Sequence, residues 1–395
     1  MVLRALGFSK KYFRAESDPK NCLGRGCKMV FMTHWMTGRK AMTAASVIAA
    51  VALWAIFAPV AGWAGADEGL IAAVKRGALP EIERLLDQGA QVNAKDNEGV
   101  TALMFASEDG RLDVVQALLD KGADVNVKDN YGMSALMLAS EQEGNLDVVQ
   151  ALVAKGADVN AADNDGVTAL MLASQYGCFD AVGALLDKKA EINAKDKDGV
   201  TSLMSAADMA YLDVVETLIA KGADVNAKDK DGVTALMFAS QYNEDREEDS
   251  LDVVETLIAK GADVNAKTNE GATALMLASR DGYPRVVETL IAKGADVNAK
   301  DKEGATALMS ASDNGYFEVV ETLTAKGADV NAKDNDGSTA LIAASENGSQ
   351  EVVKILLAKG ADVNAKTNDG STALSLASRH NHAAVKKLLV KAGAK

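Results

Sequence analysis

Apolar and polar positions along this chain fall into a pattern that restarts about every 33 residues. In the stretch Asp96 to Lys128 a short apolar run, Ala102-Leu103-Met104, follows Thr101 and closes at Gly110. A second run then carries Val114, Val115, Leu118 and Leu119 at the spacing of one helix face. Thr101 stands where a helix N-cap is expected, and Gly122 where a left-handed residue ends the second helix. Ala123 to Val127 reads as extended and leads into an Asp-x-x-Gly turn. Copies begin at Asp129, Asp163, Asp196, Asp229, Thr268, Asp301, Asp334 and Thr367. Such a period marks a solenoid, because helices this short are marginal alone and bury a core only by stacking.

With its turn glycine, its Thr-initiated first helix, its Val-Val-x-x-Leu-Leu second helix and its Gly-Ala-Asp-Val-Asn exit, the unit resembles the ankyrin repeat over residues 67–395. The resemblance implies a mainly α solenoid of paired short antiparallel helices with β-hairpin fingers, about ten units including both caps. One departure is systematic. The family's Thr-Pro-Leu-His is here TALM at Thr101, Thr168 and Thr234, and TSLM at Thr201. Alanine loses the preset dihedral of proline, and methionine replaces a hydrogen-bonding group by an adaptable apolar one.

Residues 67–95 read as an N-terminal cap, 96–366 as eight full repeats and 367–395 as a C-terminal cap. Of the paired outer-helix valines, the first is Glu81 at one end and the second Lys386 at the other. Each polar residue stands on the side that would lack a neighbour, as capping repeats require.

Charge divides the chain in two. Of 42 Lys and Arg and 56 Asp and Glu, the first 66 residues hold 9 and 2, which leaves 33 against 54 and a net of −21 after Ala66. An array this acidic repels phosphate backbones, so nucleic acid is excluded as the expected partner and a protein with a basic or mixed surface is favoured. Residues 1–66 are basic up to Lys40 and uncharged from Ala41 to Ala66. Arg39-Lys40, the apolar stretch Val47 to Val60 and Ala64-Gly65-Ala66 look like the three regions of a secretory signal peptide cleaved between Ala66 and Asp67. Met36 as the start would give a signal of ordinary length. The competing reading keeps Ala41 to Phe57 as a membrane anchor. Both put the repeats outside the cytoplasm, periplasmic, secreted or anchored at the inner membrane.

Chemistry finds little purchase. The histidines are His34, His380 and His382, of which the last two make only a weak metal candidate at the end of the array. After residue 66 the one cysteine is Cys178, just past the central glycine of its unit, where it is expected to be fairly exposed. A non-catalytic protein with no cofactor and no small-molecule substrate is expected; a metal-dependent enzyme is the distant alternative.

The units differ most in the middle. In units three, four and five the residue before the central glycine position is Tyr176, Met209 and Tyr242, against Asp109, Asp281, Asn314, Asn347 and His380 elsewhere. The resemblance implies that partners bind the concave face, so these three are expected to line up as anchors, extended by Tyr131 on an earlier finger. Unit five also carries an excess between its helices, Asn243 to Ser250, in which Glu244, Asp245, Glu247 and Glu248 would form an acidic protrusion that steers a basic partner. Unit three, with Gly183 inside its outer helix and Lys189 in place of the stop glycine, is expected to be the softest.

Overall fold

The computed structural model describes residues 66–241 and 247–395. Among these, twenty helices form ten successive pairs. The array opens with α1 (Ala66–Arg76) and α2 (Leu79–Asp87). The next four pairs, which flank the variable face, are α3 (Ala102–Glu108) and α4 (Leu112–Asp120), α5 (Ala135–Ser140) and α6 (Leu146–Ala154), α7 (Ala169–Gln175) and α8 (Phe179–Asp187), and α9 (Ser202–Asp208) and α10 (Leu212–Ala220). The last pair is α19 (Ala373–Arg379) and α20 (Ala383–Lys391). First helices pack on first helices and second on second along the array.

Nine of the inner helices start where the sequence predicts. Thr101, Ser134, Thr168, Thr201 and Thr234 accept the amide three residues on, as do Thr273, Thr306, Thr339 and Thr372, relieving one of the orphan donors of a helix start. The methionine of TALM is more than an apolar filler. The Sδ atoms of Met104 and Met204 accept the N–H of Thr101 and Thr201 at 3.4 Å, closing a capping box in sulfur.

The fingers depart from the expected β-hairpins: the described residues hold isolated bridges such as Lys95 with Thr101 and Lys128 with Ser134, but no strand. Most turns are closed by their own aspartate, as when Asp129 Oδ1 accepts from Tyr131 and Met133, and Thr268 Oγ1 does the same for Ala272. The remaining polar groups bond sideways, to the next unit. Asn130 N–H reaches Glu98 O at 3.0 Å, Asn164 N–H reaches Tyr131 O at 2.9 Å, and Lys95 Nζ reaches Lys128 O at 2.8 Å. The fingers are therefore sewn to one another across units, and no ladder forms within them.

Layers of valine and leucine carry the stack. Val114, Val115 and Leu118 are fully buried, and so are their counterparts Val214, Val215 and Leu218. At the ends Ile82 and Val385 are buried, whereas Glu81 pairs with Arg76 at 2.8 Å and Lys386 is exposed. Polar substitution thus sits where no neighbour covers it.

Three of the described residues other than glycine have a left-handed backbone: Lys189 (φ 64°), Ala210 (φ 55°) and Asn381 (φ 61°). Ala210 occupies the central-glycine position of its unit and carries the strain of a Cβ in that region. Ala210→Gly is expected to stabilise the array by about 1 kcal/mol, read as a shift in urea midpoint; an unchanged or lower midpoint would refute this.

Candidate functional site

The variable face is assembled from the C-terminal ends of the inner helices. Tyr176 caps α7 and Met209 caps α9, at the same place in consecutive units. Tyr176 is 40 % exposed and Met209 is half-buried. Tyr131 sits half-buried on its finger, with its carbonyl engaged by Asn164. Tyr242, Glu244 and Asp245 lie outside the described residues, as does the side chain of Glu247.

The excess of unit five is not all loop. Its outer helix α12 runs from Glu247 to Ala259, 13 residues where its neighbours α10 and α14 (Pro284–Ala292) have nine. Acidic residues at a helix N-terminus are stabilised by the exposed amides there, which favours winding this end. Glu248 is exposed on that extension and lies 3.3 Å from Arg285 of the next unit. It is tied to a neighbouring helix as well as displayed.

Sequence reasoning passed over Phe179, which is 45 % exposed at the first turn of α8, three residues beyond Tyr176. The signal was available, because other units place leucine there: Leu112, Leu146 and Leu212. A second aromatic pair, Tyr316 and Phe317, is similarly exposed four units later.

Cys178, the residue after the central glycine of its unit, was expected to be fairly exposed. The structure corrects this: Cys178 is 3 % exposed and Tyr283 6 %. The position faces the preceding unit, whose central glycine leaves a hollow. A Cβ on Gly177 would lie 2.7 Å from the Tyr211 ring, and one on Gly282 would lie 2.6 Å from the Tyr316 ring. Where the side chain is polar it also satisfies the end of the preceding inner helix. Arg111 donates to Val74 O, Asn145 to Ser107 O at 3.2 Å, and the His382 Nε2 to Glu346 O at 2.8 Å. No periodicity signals this row, because the contact lies between units.

His382 is thereby committed to a backbone carbonyl, and His380 stacks on it with ring centroids 6.1 Å apart. No cluster of three or more potential metal ligands occurs among the described residues. Burial pushes the Cys178 thiol up to about 12, with Glu143 and Glu141 adding to the effect, so it is inert in the closed array.

The family model for ankyrin repeats in groups of three matches residues 70–163, 136–229, 195–268, 236–334 and 326–395. The chain belongs to the ankyrin-repeat family. No curated protein matches it. Ankyrin repeats are protein–protein interaction modules, and this array carries the family's helix pairs from Ala66 to Lys391. Among the described residues no helix is long and apolar enough to cross a membrane.

Proposed function

We propose that this ankyrin protein is exported and binds a protein partner with a basic or mixed surface through its concave face. The observation that carries the reading is the alignment of Tyr176 and Met209 on consecutive inner helices, with Phe179 exposed beside them. Tyr242 extends the row by its place in the repeat. Large amphipathic side chains concentrate binding energy, while the surrounding acid, Glu248 included, accelerates encounter with a cationic surface. Cleavage after Ala66 would release the array beginning with Asp67. The array needs no cofactor for this role, and its acidity disfavours nucleic acid.

The test is affinity capture from cell-envelope extract with residues 67–395, a compact unit apart from one residue, beside Tyr176→Ala/Met209→Ala/Tyr242→Ala. A protein with a basic surface that wild type retains and the folded triple variant loses at least tenfold supports the site. Equal retention by both moves binding away from the aromatic row. The anchored-scaffold alternative rests on the uncharged run Ala41 to Phe57. N-terminal sequencing of the protein from cells decides it: Asp67 as first residue supports release, and an intact apolar run supports the anchor.

A further inference from the structure

The junction between the second and third full units differs from its neighbours in three ways. Unit two is one residue longer before its central glycine, reading Ser140-Glu141-Gln142-Glu143-Gly144 where unit one has Ser107-Glu108-Asp109-Gly110. The extra residue turns Glu141 inward. It is 7 % exposed, its Oε2 has no hydrogen-bond partner, and it takes part in no ion pair among the described residues. The charged groups acting on it are acidic: Glu108 at the end of α3 and Asp163 at the base of the next finger. Glu143 in its own loop and Glu141 itself both bear on Cys178 at the start of α8.

The brace across this junction is also missing. Arg111 covers Gly77, Asn145 covers Gly110, and Tyr211 covers Gly177, but nothing lies within 4 Å of where a Cβ on Gly144 would stand. Cys178, in the bracing position, reaches only Tyr176 O of its own unit, at a long 3.9 Å. Next to it, Gly183 lies inside α8 and Lys189 holds a left-handed backbone. The finger strap across this junction, from Lys128 Nζ to Ala162 O at 2.7 Å, is kept, so the difference lies at the helix end and not at the fingers.

We propose that this junction is a proton-operated joint, closed while Glu141 is uncharged and opened locally when Glu141 ionises. Burial first, then Glu108 and Asp163, push the Glu141 carboxyl up to about 8. At neutral pH it is mostly protonated and tolerated in its buried position. Above that range it becomes an anion with no counter-charge, facing other acids. Separating the Glu141–Asn145 loop from α8 rehydrates it, and no side chain over Gly144 opposes the movement, while the finger bonds hold the units together. Opening uncovers Cys178, which is the only cysteine beyond residue 27 and serves as the reporter.

The experiment is peptide-resolved labelling of Cys178 in the full-length protein with dithiodipyridine, at pH 6.5 and 9.5, in wild type and Glu141→Gln. Comparing the two proteins at one pH removes the ordinary pH dependence of the thiol, and the direct effect of the Glu141 charge on Cys178 would slow wild type, opposite to the expected result. The expected result is equal rates at pH 6.5 and at least tenfold faster labelling of wild type at pH 9.5. Equal rates at both pH values overturn the joint. A wild-type excess of the same size at both pH values overturns the proton control, since Glu141 is then a fixed defect. If Glu141→Gln fails to fold, wild-type protection relative to the urea-denatured chain gives the same reading. Protection that falls at least tenfold between pH 6.5 and 9.5 supports the joint, and constant protection overturns it.

Discussion

Val215→Lys is expected to break the array in the middle, lowering its stability by about 4 kcal/mol or more. Val215 is the second valine of α10, with no exposed surface, and looks toward the following unit. Lysine there would bury an ammonium at a position that valine fills with no exposed surface. The last unit supplies the control, for Lys386 occupies the same repeat position and is exposed. Lys386→Val is expected to change stability by less than about 0.5 kcal/mol. Urea unfolding followed by circular dichroism checks both, and the wild-type transition should split into two in Val215→Lys because each half of a repeat array keeps its own neighbours. Comparable effects of the two substitutions would refute the account of how the ends differ from the middle.

Glu141→Gln is expected to stabilise the protein at alkaline pH and hardly at all near pH 4.5. The sign follows from proton binding. The carboxyl is raised from 4.5 to about 8 in the folded array, so the folded state holds its proton more tightly than the unfolded chain does. Below 4.5 both states are protonated and no cost arises. Between 4.5 and 8 the unfolded chain has lost the proton and the folded one keeps it, so wild-type stability falls as pH rises, by at most about 1.4 kcal/mol per pH unit. Above 8 the full penalty stands, on the order of 4 kcal/mol, unless local opening relieves it first. Glutamine keeps the shape and removes the titration. Urea midpoints of the two proteins from pH 4.5 to 9.5 should therefore diverge with rising pH. Parallel curves would show that Glu141 is solvated and ordinary.

Much of this molecule was legible without coordinates because each element carries its own stop and start. Thr101 and its counterparts cap the inner helices, Gly122 and its counterparts end the outer ones, and the Val-Val-x-x-Leu-Leu face names the core. These are local rules acting within a few residues, and they repeat. The candidate face was legible for a related reason: Tyr176 and Met209 stand out against the acids and amides of other units. What escaped was contact between units. Cys178 looked like a surface residue because its position is chemically mixed from unit to unit, as arginine, asparagine, tyrosine, serine and histidine. That mixture is what different braces over one glycine hollow look like. Nothing in the local pattern marks Glu141 as buried, and the extra residue of its unit is the one sequence feature that goes with it.

The sequence by itself determined the repeat, its family, the helix boundaries and which valines meet, since caps, breakers and apolar period act locally and are copied from unit to unit. The tertiary structure alone decided that the fingers bond sideways and that Cys178 and Glu141 are buried at one junction. Those outcomes depend on groups some 33 residues apart meeting across a unit boundary, a distance over which no local pattern constrains the chain.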